Sequence, residues 1–150
     1  MKNIPSILIP LAALLLCACG ATHKADTAPL PPPTFDKAEV FQLVSIQGRP
    51  LTYQPAPTLI FNPETSTIHG TMACNTYLAS FSCRPANPSS ARYPIQISLL
   101  SSGTLVCPDA LLNADSRFLA LLPRATHLAY SPSSITLFQR NKELLRFELI

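Results

Sequence analysis

From Phe35 onward, apolar residues recur at every second position in short runs, and turn-forming residues separate the runs. A period of two places alternate side chains on one face of an extended strand. Residues 40–44 form the first such run, which stops before Gln47-Gly48-Arg49-Pro50. Residues 58–61 set Leu59 and Phe61 on one face and end at Asn62-Pro63-Glu64. Residues 67–72 follow, and then Tyr77, Ala79, Phe81 and Cys83 alternate with Thr76, Leu78, Ser80 and Ser82. The first of those two sets is expected to point inward. Residues 84–92 (RPANPSSAR) read as a loop, and Ile95, Ile97 and Leu99 as another strand.

After Ser101-Ser102-Gly103 the period changes. Leu111, Leu112, Phe118, Leu119 and Leu122 recur at helical spacing, Asp109 or Asn113 is placed to cap the start, and Pro123 ends the run. One helix of about three turns is expected. A terminal hairpin follows, with Ile135 and Leu137 on one arm, a turn at 140–143, and Leu145, Phe147 and Leu149 on the other. Strands, one helix, then strands predict an α+β fold.

The N-terminus has no such alternation. MKNIPSILIPLAALLLCACG has one basic residue, Lys2, and an apolar stretch too short to cross a bilayer. Leu16-Cys17-Ala18-Cys19 resembles a bacterial lipobox. That resemblance implies a signal peptide at 1–18, cleavage after Ala18, and an acylated Cys19. Gly20 stands where lipoproteins retained in the inner membrane often carry Asp, so the expected location is the periplasmic side of the outer membrane, with surface exposure open. Residues 21–34 (ATHKADTAPLPPPT) lack periodicity and end in prolines. They read as a tether reaching up to ~40 Å, so that 19–34 are anchor and tether and 35–150 the folded domain.

Composition narrows the possibilities. About 115 residues make one small domain. Loss of Lys2 lowers the net charge from +3 to +2, and the basic residues form no run, so nucleic acid is not an expected partner. Four scattered glycines leave no phosphate-binding loop. His69 and His127 lie at no diagnostic spacing from any cysteine, and the cysteines lack metal-ligand spacing. Asp109 and Asp115 read as helix-start charges. Asn75 reads as a turn residue, left-handed or bonded to its own backbone. No catalytic residue, cofactor or metal is expected.

Beyond Cys19 the mature chain has Cys74, Cys83 and Cys107. In an oxidising compartment two of the three are expected to pair. Cys83, on an apolar face, also reads as a small buried hydrophobe.

Phe41-x-Leu43-x-x-Ile46-x-Gly48-x-Pro50, Pro57-x-Leu59-x-Phe61, Ile68-x-Gly70-x-x-x-Cys74-Asn75-x-Tyr77, Leu99-x-x-x-x-Thr104-x-x-Cys107 and Phe118-x-x-x-Leu122 occur in that order. The ordered set resembles the META domain, and more closely the HslJ-type lipoproteins of Gram-negative bacteria. The resemblance implies a small, strongly curved, half-barrel-like antiparallel sheet with one main helix packed on it. It favours a Cys74–Cys107 disulfide over Cys74–Cys83. It implies no chemistry and links the family to stress tolerance and the envelope. The expected function is a non-enzymatic lipoprotein, a monomer, that binds an envelope protein or apolar ligand. Two further readings are a pilotin-like escort of an outer-membrane component and a secreted hydrolase inhibitor using the 84–92 loop.

Overall fold

The computed structural model describes residues 28–150, so the expected signal peptide, the expected acylation site Cys19 and most of the expected tether lie outside the described residues. The strands are β1 (Phe41–Ile46), β2 (Arg49–Pro50), β3 (Thr58–Asn62), β4 (Thr67–Thr71), β5 (Thr76–Cys83) and β6 (Tyr93–Ser102). Helix α1 (Asp109–Leu121) and a 3-10 turn (Leu122–Arg124) come next. The chain ends with β7 (His127–Ser131), β8 (Ser134–Gln139) and β9 (Lys142–Leu149). No described helix is long and apolar enough to cross a membrane.

All pairings are antiparallel, and sequential neighbours pair from β3 through β9. β1 then pairs with both β3 and β9, with Phe41 opposite Leu59 on one side and Leu149 on the other. The sheet therefore closes into a barrel of eight strands, with β2 as a short ribbon against the end of β1. This corrects the expected half-barrel. Two features close it: the β1–β9 pairing of the chain's two ends, and β7, a strand that the apolar pattern did not announce. His127–Ser131 has a single fully buried side chain, Leu128, and so carries little alternation.

Local sequence accounts for the kinks. In β1 the inward positions are Phe41, Leu43 and Ile46, and the pairing register to β9 shifts between Leu43 and Ser45. The bulge adds one residue and returns Ile46 to the core. Gln47 (φ 52°) and Gly48 (φ 75°) both take the left-handed conformation that a tight two-residue hairpin turn requires. Gly70 in β4 is required for a different reason. A Cβ there would run into the carbonyl oxygen of Thr58, to which the Tyr77 hydroxyl donates at 2.9 Å.

An eight-stranded barrel has an interior just wide enough for side chains to fill. Here Leu59, Phe61, Ile68, Ala79, Ile97, Leu128, Ile135, Leu137, Leu145 and Phe147 fill it. Each mouth is closed by a phenylalanine. Phe118 from α1 enters one, its ring centroid 5.2 Å from Tyr77 and 6.4 Å from Phe147. Phe35 closes the other, stacked on Phe61 at 3.9 Å and edge-on to Phe81 and Tyr130 at 5.7 and 5.6 Å.

Two expectations about boundaries change. The helix starts after Pro108 with no side-chain cap, so neither Asp109 nor Asn113 caps it. The last residues of the expected tether pack on the domain: Leu30 and Ala86 exchange both backbone hydrogen bonds, at 2.8 and 2.9 Å. We predict that Phe35→Ala destabilises the protein by about 3 kcal/mol, at the lower end of the usual cost of deleting a buried aromatic ring. A urea midpoint reads this, and trypsin cleavage after Lys37 should accelerate. An unchanged midpoint would mean that the plug adds nothing to the barrel.

Candidate functional site

The Phe118 mouth gathers most of the polar side chains that are buried. Between β4 and β5 the chain turns through Met72–Asn75, closed by Met72 N–H donating to the Asn75 carbonyl at 2.6 Å. The turn exposes two backbone N–H groups to the helix. Cys74 N–H donates to Asp115 Oδ1 at 3.2 Å and Asn75 N–H to Oδ2 at 3.0 Å. The Asn75 amide nitrogen donates to the same Oδ2 at 3.1 Å, while its Oδ1 accepts from Leu105 N–H at 2.7 Å. Asn75 is 5% exposed and Asp115 4%, so these bonds are sheltered from water.

Asn75 thus ties three segments together. It does not adopt a left-handed conformation and it bonds elements distant in sequence, contrary to the local turn role expected of it. Asp115 lies in the middle of α1, one turn before Phe118, and is not a helix-start charge. A carboxylate on the apolar stripe between Leu111 and Phe118 is the sequence signal for its role.

The segment 103–108 is strapped over this turn. Gly103 N–H donates to the Thr76 carbonyl at 2.9 Å, and a Cβ on Gly103 would come within 2.9 Å of Asn75 Oδ1, which explains the glycine. Cys74 and Cys107 are joined by a disulfide, their Cα atoms 6.4 Å apart. Among the described residues Cys83 is the free cysteine, at the far end of β5, half-buried, with its thiol pushed up to about 11 by burial. It is a protonated, weakly nucleophilic thiol at neutral pH.

The other reactive side chains are dispersed. His69 pairs with Leu78 on the outer face of β4, and the His127 ring lies 2.9 Å from the Thr126 hydroxyl. Asp109 is exposed at the helix start, away from the Asp115 network. Burial raises the Tyr77 phenol far above its ordinary range. Among the described residues no three His, Cys, Asp or Glu side chains cluster as metal ligands would.

Strapping 103–108 in this way presents its apolar residues to solvent. Val106 is fully exposed, Leu105 65% and Leu100 57%. Leu99 and Leu78 lie beside them, also exposed. Leu99 continues the alternation of Ile95 and Ile97, both of which are buried. It lies opposite the buried Ala79, but β6 here runs beyond Tyr93 and Pro94, the residues that pair with β7. The N-terminal segment docks at the opposite end of the same sheet, where Pro32, Pro33 and Phe35 lie with Phe81 and Cys83. The 84–92 loop is held down rather than protruding. Ala86 pairs with Leu30, and the Arg92 guanidinium sits 3.7 Å over the Phe138 ring and donates to the Arg140 carbonyl.

Comparison with known proteins places this architecture. An NMR structure of a protein from Burkholderia xenovorans is similar in fold, with a TM-score of 0.51, 16% identity, and coverage of 84% of this chain and 96% of that one. No curated protein matches. The META domain profile matches residues 36–149, from just after the Phe35 plug to the end of β9. The chain belongs to the META domain family.

Proposed function

We propose that this is a non-enzymatic, HslJ-type outer-membrane lipoprotein, anchored through an acylated Cys19, which supports the envelope by holding an apolar segment of another envelope protein. One observation carries the reading. The N-terminal segment enters at the Cys83 end of β5, and the exposed Leu100, Leu105 and Val106 lie at its Thr76 end. Eight residues of strand separate the two ends by about 25 Å. With Cys19 as anchor, residues 20–29 precede the Leu30 bridge and reach up to ~31 Å, so the Cys83 end is the tethered one and the apolar end is the farther from the tether's attachment. The filled interior leaves binding to the outer surface. The pinned 84–92 loop gives no support to an inhibitor reading.

The test has two arms. Intact mass of the protein from its native membrane should show acyl chains on Cys19, with two thiols blocked until reduction. A photo-crosslinker at Val106 should capture a discrete envelope protein, whereas one at Lys37, at the anchored end, should not. Equal capture at both positions, or none at Val106, would overturn the binding assignment. An unmodified Cys19 would overturn the anchor. Capture of a secretion component lost from its proper location in a deletion strain would turn the reading into that of an escort.

A further inference from the structure

The loop joining β2 to β3 leaves a hollow that the barrel does not need. β1 gives its outer edge to β3 at Phe41 and Gln42 and to β2 at Ser45 and Ile46, so residues 51–57 swing out between them. Under that loop, against α1, lies a cavity of about 220 Å³. Ile46, Arg49, Leu51, Thr52, Tyr53 and Arg117 line it. We propose that this cavity binds a small organic carboxylate, gripped by Arg49 and Arg117.

Three observations converge on it. Arg49 and Arg117 come from separate elements, and neither has a carboxylate within ion-pair distance among the described residues. The nearest acid in sequence, Asp115, has its two oxygens occupied by N–H groups of Cys74 and Asn75. Arg117 has only a long hydrogen bond, 3.5 Å to Gln47 Oε1. Both arginines are exposed and line one hollow without a carboxylate partner, so an anion seated between them is attracted by both. The guanidinium fork suits a carboxylate's two oxygens.

The Tyr53 hydroxyl supplies the third group. Its oxygen is buried and has no hydrogen-bond partner. A buried donor left unmade is destabilising, and a ligand oxygen that reaches it through a small shift of residues 51–57 would satisfy it. Burial and the Asp115 charge raise the phenol above its ordinary value, so the proton it would donate is present.

The remaining walls set the ligand class. Ile46 and Leu51 offer apolar surface, which an inorganic ion would leave unused. The volume is below the ~300–1,000 Å³ of drug-sized sites, so the apolar part is limited to a compact group. This site lies away from Leu105 and Val106 in sequence and lining, and it stands whether or not those residues dock a partner.

The experiment is calorimetric titration of the full mature chain in detergent with benzoate, with benzamide and inorganic phosphate as comparisons. Benzoate should bind saturably, benzamide should not, and phosphate should bind more weakly. Arg49→Met and Arg117→Met should each weaken benzoate by about tenfold or more, and Tyr53→Phe by about three- to tenfold. Arg49 sits exposed on the two-residue β2, so its variant keeps the test open should Arg117→Met unfold. Near-UV circular dichroism confirms folding of each variant. Absence of benzoate binding, equal binding of phosphate, or benzoate binding unchanged in both arginine variants would each overturn the proposal.

Discussion

Replacing Cys74 or Cys107 by serine should cost about 3.7 kcal/mol of stability and lower the melting temperature by on the order of 10–15 °C. The bridged residues are 33 positions apart, and the chain-entropy cost of closing that loop sets the figure. A small domain has about 5–15 kcal/mol in all, so no other covalent change here removes a comparable share. The loss should also be local. Without the bridge, 103–108 is held by the bonds from Leu105 to Asn75 and from Gly103 to Thr76. Hydrogen exchange at Leu105 and Val106 should accelerate more than exchange in β8 and β9. Cys83→Ser provides the control, because that thiol is unpaired. Equal midpoints for Cys74→Ser and the parent under oxidising conditions would remove the disulfide from the account of stability.

Asp115→Ala should cost about 3–4 kcal/mol, although alanine is the better helix former and position 115 is helical. The cost arises outside the helix. The substitution orphans Cys74 N–H, Asn75 N–H and the Asn75 amide, all close to Asp115 oxygens in the folded protein. Buried donors without partners carry their full desolvation penalty. Asp115→Asn keeps one acceptor oxygen but turns an NH2 group toward the same donors, so about half the loss should remain. Combining Asp115→Ala with Asn75→Ala should cost clearly less than the sum of the two, since they share one network. Denaturant unfolding of the four proteins measures the cycle. Additivity would show that the two residues act separately.

Both predictions concern residues whose type was conspicuous in the sequence and whose partners were not. Cys74, Asn75 and Asp115 could be named from the chain alone, but hydrogen-bond partners separated by some 40 positions could not. The family resemblance favoured Cys74–Cys107, whereas the residues themselves allowed other pairs. The fold was legible wherever alternation was strong. Phe41 and Leu43, Leu59 and Phe61, Ile95 and Ile97, and Ile135 and Leu137 are all buried in strands. It was illegible in β7, where Leu128 alone is fully buried and the neighbouring outward positions are only partly exposed. Leu99 shows the opposite failure: its alternation is clean and it lies opposite the buried Ala79, yet it is exposed, because β6 there runs beyond Tyr93 and Pro94, where its pairing with β7 ends.

The sequence by itself determined the strand-rich order, the single main helix that stops just before Pro123, and the family. Each of these is written in local periodicity or in short ordered motifs, and residues near in sequence share a face whatever the rest of the chain does. Only the tertiary structure decided that the sheet closes, that Phe35 and Phe118 stop its two mouths, that Asp115 ties the helix to the Cys74 turn, and that Arg49, Arg117 and Tyr53 meet around one cavity. Closure depends on β1 meeting β9, strands at opposite ends of the domain, and a two-residue period says which face is apolar but not which strand lies alongside.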